Sequence, residues 1–211
     1  MAAPVQFPNP TSTAPPPLNP EQMQELQRTR AAYQPLKRGA RVARSSAITT
    51  AVIAGGTAVW AMLVFDWGGL IAAVLLGAIA TVEFVGYGRL LRADPAAVKL
   101  LTRNQLAFLA MIALYCLLKI ATFSTASLKA EALPADVRAE LAPMPEIAQM
   151  VDQNVDRYGP LAYRGFYALV LLVSVGCQGG MAWYYARREK HVAAFQAAPA
   201  WAKQLLWTLR D

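Results

Sequence analysis

Four stretches of this chain are almost continuously apolar and nearly free of charge: 47–65, 67–89, 105–123 and 166–185. Each is close to the roughly 20 residues that a helix needs to cross a bilayer core about 30 Å thick. Hydrocarbon offers no water to backbone N–H and C=O groups, so runs of this kind must satisfy themselves internally as helices. A water-soluble fold would spread its apolar positions in an amphipathic rhythm, whereas here they come in blocks. The pattern predicts an all-α integral membrane protein with four transmembrane helices. It divides the chain into a polar tail over 1–45, a four-helix domain over 46–186 with a long loop at 124–160, and an amphipathic end over 187–211.

The connecting segments carry their own signals. Residues 1–20 hold Pro4, Pro8, Pro10, Pro15, Pro16, Pro17 and Pro20 among small polar residues. Such a segment buries too little apolar surface to offset its ordering entropy, so a disordered tail is expected. The first apolar run lies too far from Met1 for a cleaved signal peptide, and the tail is expected to stay attached. Asn19, Pro20 and Glu21 form a helix start, with a cap, a proline in the first turn and an acid beside it. That helix is expected to end near Tyr33, before Pro35. Only Asp66 and its neighbours part the first two runs, which predicts a tight helical hairpin, and Asp94-Pro95 starts the helix leading to the third. In the long loop, Ile147, Met150, Val151 and Val155 recur at helical spacing between Pro145 and the stop signal Gly159-Pro160. They predict a short amphipathic helix resting on the membrane or capping the bundle. At the chain's end, Trp201, Leu205 and Leu209 share one face, with Leu206 and Trp207 beside it and Lys203 and Arg210 opposite. This suits an interfacial helix.

Composition adds orientation. The chain is 56% hydrophobic with a positive mean hydropathy, yet its net charge is +7. Fifteen of its twenty Lys and Arg fall on one side of a four-span arrangement: before the first run, between the second and third, and after the fourth. Lys and Arg near span ends are retained in the cytoplasm, so both termini are expected there. Anionic lipid headgroups are the expected partners of Lys37, Arg38, Arg41 and Arg44, since a basic residue near such a surface gains about 1 kcal/mol. No nucleic-acid-binding motif accompanies the charge, and nucleic acid is not an expected partner.

Small residues at four-residue spacing mark possible close approaches. Gly69, Ala73 and Gly77 recur in the second run, Gly176 and Gly180 in the fourth, and Ala51 and Gly55 in the first. Such faces let a neighbouring backbone come near. Packing within the chain, in a compact bundle, is the first expectation; contact with another membrane protein is the second.

Candidate chemistry is sparse. Glu83 is the ionisable residue deepest inside a run, six residues before Arg89 and so about 9 Å in along a helix. A carboxyl there is either neutral or paired with a polar group. Gln178 lies about 13 Å in by the same rise, and Asn104 and Gln105 enter from the same side, so Glu83, Gln178 and Asn104 form a candidate intramembrane polar site. A structural hydrogen bond is favoured over an ion or proton path, because one acid without a second in another span makes a poor pathway. Lys119 and Arg164 stand near span ends, where long stems carry their charges to the headgroups. His191 is the single histidine, which excludes bis-histidine haem and argues against a histidine-rich metal site. Cys116 and Cys177 lack metal-ligand spacing. Gly86-Tyr87-Gly88 lacks the third glycine of a dinucleotide fingerprint, and Ser174 has no nucleophile-elbow context. No cofactor or metal is expected. The two halves show no repeat, and no span is broken by proline in the manner of a transporter site.

The expectation is therefore a multi-pass protein of a bacterial inner membrane that acts by contact, as an accessory subunit, assembly factor or scaffold. Its partners would be membrane lipids and a membrane protein or a second copy of itself. A small transporter or channel using Glu83 is the alternative, and a membrane-embedded enzyme comes third.

Overall fold

The computed structural model describes residues 18–125, 128, 137, 139 and 142–208. Most of the proline-rich tail, most of the charged loop between the third and fourth runs, and Leu209 and Arg210 lie outside the described residues. Among those described, the chain is helical throughout, with no strand. The elements are α1 (Pro20–Leu63), α2 (Trp67–Leu91), α3 (Pro95–Ala121), α4 (Pro145–Ser174), a π-helical turn (Val175–Gly179), α5 (Gly180–Ala186), α6 (Glu189–Ala197) and α7 (Ala200–Thr208). Four stretches, in α1, α2, α3 and the continuous run from α4 through α6, are long and apolar enough to cross a membrane.

The helix starts agree with the sequence signals. Asn19 caps α1 with a reciprocal pair: its side chain accepts from the Gln22 N–H at 2.7 Å, and the Gln22 side chain accepts from the Asn19 N–H at 3.0 Å. Asp66 and Asp94 cap α2 and α3 through the N–H groups of Gly68 and Ala96. The two turns share one design. Phe65 (φ 55°) and Ala93 (φ 54°) are left-handed, and the next N–H reaches back to a carbonyl five residues earlier, Asp66 to Ala61 and Asp94 to Arg89. A left-handed residue with this bond closes a helix and frees the next residue to cap the helix after it.

Two helix ends differ from expectation. The first helix does not stop before Pro35; α1 runs straight through it into the first apolar run. An interior proline removes one backbone hydrogen bond and crowds the preceding turn. Packing offsets this, because Tyr33 and Leu36 flank the proline and are both buried. Likewise, Gly159-Pro160 does not end a separate amphipathic helix; α4 continues through it into the fourth apolar run. Gly159 leaves room there for the Leu128 side chain, which a Cβ would meet at 2.5 Å. Ile147 and Met150 of that amphipathic stretch remain exposed. At the chain's end, α7 carries Trp201 and Leu205 of the expected closing helix, and α6 precedes it across an extended Ala198.

The core sits at the basic end of the helices rather than midway along them. Tyr33, Leu36, Ala40 and Ala43 of α1 pack with Leu90 and Ala93, with Ala97, Val98 and Leu101 of α3, and with Tyr185, Val192 and Phe195. The Tyr33 and Phe195 rings lie 5.0 Å apart, and the Tyr33 hydroxyl donates to the Leu91 carbonyl at 3.1 Å. Extensive contacts run from α1 to α2, α2 to α3, and α3 to α4 and α5. The return to α1 is made by α6 and α7. The helices thus form a row that closes on itself at the basic end.

Candidate functional site

Glu83 organises a polar knot that joins α1, α2 and α3. Its side chain is fully buried, and its Oε1 accepts from two helices at once. The Ser46 hydroxyl of α1 donates at 3.0 Å, and the Gln105 side-chain amide of α3 donates from the other side. One turn away, the Asn104 amide of α3 donates to the Ile79 carbonyl of α2 at 3.1 Å. Three buried oxygens of the region have no hydrogen-bond partner: Glu83 Oε2, Gln105 Oε1 and the Tyr185 hydroxyl. Tyr185 of α5 is fully buried in the core that also holds Leu90 of α2 and Leu101 of α3.

The backbone explains the meeting. About the left-handed turn at Phe65, α1 and α2 run antiparallel in constant register: Ala61 and Gly69 stand four residues on either side, and a Cβ on Gly69 would meet the Ala61 Cβ at 3.0 Å. Far along the same hairpin, Ser46 stands 19 residues before Phe65 and Glu83 stands 18 after it. About Ala93, Glu83 stands 10 residues before the turn and Gln105 12 after it, which brings the two to neighbouring levels of the second hairpin. One carboxyl therefore ties three consecutive helices, and the low polarity around it strengthens each bond.

Of the expected polar trio, Glu83 and Asn104 share this knot and Gln178 does not. Gln178 sits in the π-helical turn, half-buried, and Ser46 and Gln105 hold the carboxyl oxygen in its place. Neither Ser46 nor Tyr185 stands out in the sequence. Ser46 is recoverable from hairpin register; nothing local marks Tyr185.

The small-residue faces divide. Gly69 and Ala73 stand at the α1–α2 contact, where Ala73 is buried. Among the described residues, a Cβ on Gly77, Gly176 or Gly180 meets nothing within 4 Å. The packing within the chain expected of those three is absent. Close approach occurs instead at Gly86, whose Cβ would collide with the Leu101 side chain. Lys37, Arg38, Arg41 and Arg44 are exposed along α1, with the Arg44 guanidinium 6.0 Å from the Tyr87 ring centre. Near the other end of the row, Lys119 and Arg164 stand over the rings of Tyr115 and Phe123. Cys116 is buried and Cys177 exposed, both as free thiols. Among the described residues no three His, Cys, Asp or Glu side chains stand together as a metal group would require.

No known protein family, curated protein or solved structure matches this chain.

Proposed function

We propose that this is a multi-pass protein of a bacterial inner membrane, with both termini cytoplasmic, that acts by contact as an accessory subunit, assembly factor or scaffold. The observation that carries this reading is the unevenness of its packing. The most apolar windows of α1 and α2 are each 22% buried, that of α3 17%, and that of the run from α4 onward only 6%. A helix that completed a four-helix bundle would bury a full stripe. Among the described residues the last span leans on α3 and, at Gly159, on Leu128, and leaves most of its apolar window exposed. Gly176 and Gly180 lie on this span with none of the described residues against them, a surface that suits close approach of another helix. The π-helical turn after α4 widens the backbone, a feature often found at functional sites.

The Glu83 knot fits this reading as the tie that keeps three helices fixed while the fourth engages a partner. No catalytic role is assigned to any residue. The alternative, a proton or cation path through Glu83, draws on the unpartnered Glu83 Oε2 and Gln105 Oε1. Against it stands the complete burial of the carboxyl, which has no aqueous approach in this arrangement.

Purification of the full chain in mild detergent, with native mass spectrometry of the product, tests the contact reading. A second copy or a co-purifying membrane protein is expected with the wild-type chain. Gly176→Leu/Gly180→Leu should release it while leaving the thermal stability of the chain itself unchanged. A wild-type chain that remains monomeric and alone in both detergent and lipid nanodiscs would overturn the proposal.

A further inference from the structure

A second feature lies at the basic end, where α7 folds back beside the turn between α2 and α3. A cavity of about 260 Å³ opens there, walled by Arg92 on one side and by Gln196, Lys203, Gln204 and Trp207 on the other, with Phe195 beneath. Its two cations are 111 positions apart in the chain and are brought together by the docking of α6 and α7. The arrangement is held from within. The Gln196 amide donates to the Ala93 carbonyl at 3.2 Å, and the Gln196 carbonyl accepts from Lys203 Nζ at 3.0 Å. An ammonium has three donors, so Lys203 is steered to this place and keeps two for a ligand. Among the described residues no carboxylate lines the cavity, so its two cations suit an anionic occupant.

Size and level narrow the choice. Pockets for drug-sized molecules run upward from roughly 300 Å³; this one is smaller and suits a phosphate with a short polar attachment. From Trp67, where α2 begins, about 20 residues cross the hydrocarbon, which brings its edge to Tyr87. Arg92 stands five residues further, about 7.5 Å by helical rise, within the headgroup layer. Trp207 is half exposed at the rim, and indole rings favour that same layer. A soluble phosphate would need none of these last features.

We propose that this cavity is a binding site for the phosphate of an anionic glycerophospholipid, with Arg92 and Lys203 as its cationic clamp and Trp207 as the wall against the lipid's glycerol region. The site is independent of whether the chain acts by protein contact, and it is separate from the exposed basic face of α1.

The test is native mass spectrometry of the full chain in detergent, titrated with phosphatidylglycerol or phosphatidylcholine. The wild-type chain is expected to retain phosphatidylglycerol in preference to phosphatidylcholine. Arg92→Gln/Lys203→Gln should weaken phosphatidylglycerol binding about thirtyfold, from about 1 kcal/mol for each cation lost, and leave phosphatidylcholine unchanged. Both side chains reach the surface, so the fold should survive, which a thermal melt verifies. Arg92→Lys keeps the charge and should retain binding, so its result stands even if the double variant is unstable; loss of binding in a folded Arg92→Lys/Lys203→Arg chain would refute a charge clamp. Arg41→Gln/Arg44→Gln removes two exposed cations of α1 and should cost less. Equal loss in that variant would mean diffuse surface attraction and would overturn the site. Displacement of phosphatidylglycerol from the wild-type chain by inorganic phosphate or glycerol 3-phosphate at equal concentration would assign the cavity to a soluble phosphate and overturn the lipid.

Discussion

At the scale of single residues, the Glu83 carboxyl shows how one polar group fixes the spacing of three apolar helices. Its Oε1 satisfies Ser46 and Gln105, and removing it leaves the half-buried Ser46 hydroxyl and the buried Gln105 amide without that acceptor. Glu83→Leu should therefore cost about 2 kcal/mol, from about 1 kcal/mol for each membrane hydrogen bond lost, read as a lower melting temperature in detergent. Ser46→Ala removes one bond and should cost about half as much. Glu83→Gln should be close to neutral: the amide oxygen keeps both donors, and the amide preserves the shape of the carboxyl. The same substitution separates the two functional readings. A well-folded Glu83→Gln chain that fails to support cell function would favour a proton or cation path over a structural tie. The importance of Glu83 was legible in the sequence, because a carboxyl inside an apolar run has to be accommodated. Its partner was not legible from depth alone. Gln178 lies at a plausible depth, but depth leaves rotation about the helix axis undetermined. Counting outward from the turn at Phe65 does better, because a two-helix hairpin without an intervening loop cannot slip in register.

At the scale of elements, the starts of helices were more legible than their ends. Asn19, Asp66 and Asp94 each cap a helix through their own side chains, a local interaction that sequence specifies fully. The ends near Pro35 and Gly159-Pro160 depended on what packs nearby or on the need to keep backbone groups bonded in an apolar setting, and both helices ran on. Glycine spacing was similarly incomplete as a guide, since it states where a neighbour can approach and not whether one does. Gly86 and Gly77 make the comparison within a single helix. Gly86→Ala would drive a methyl group into Leu101 and should cost about 1–3 kcal/mol, as overpacking does. Gly77→Ala enters open space and should leave stability unchanged or raise it by up to about 1 kcal/mol through helix propensity. Melting curves of the two variants in the same detergent read the difference directly. Equal destabilisation would mean that the α2–α3 contact is not where the structure has it.

For the whole molecule, the apolar blocks were sufficient to predict a helical chain with four stretches able to cross a membrane, while the shape those stretches make was beyond them. Each block is apolar around its circumference, so no stripe reveals which side meets protein and which meets lipid. The direction in which they thread the membrane rests on the Lys and Arg distribution. Reporter fusions after Asp94 and after Lys190 should read cytoplasmic, and one near Ala142 external; the reverse outcome would overturn that orientation. The row of helices makes a further demand on energetics. Its closure depends on the basic end, where α6 returns to α1 through Phe195, buried against Tyr33. Little else in the described chain joins the last span to the first. Phe195→Ala should therefore cost about 3–5 kcal/mol, the range for emptying an aromatic site in a packed core. It should also lengthen the distance between spin labels placed on α1 and α6. Leu172→Ala, on the last span and 70% exposed, should change stability little in the isolated chain. It should instead weaken the association with a partner helix if that face is covered in the membrane. A large loss of stability at Leu172 and a small one at Phe195 would mean that the helices close along their apolar length, and that the open face which carries the contact reading does not exist.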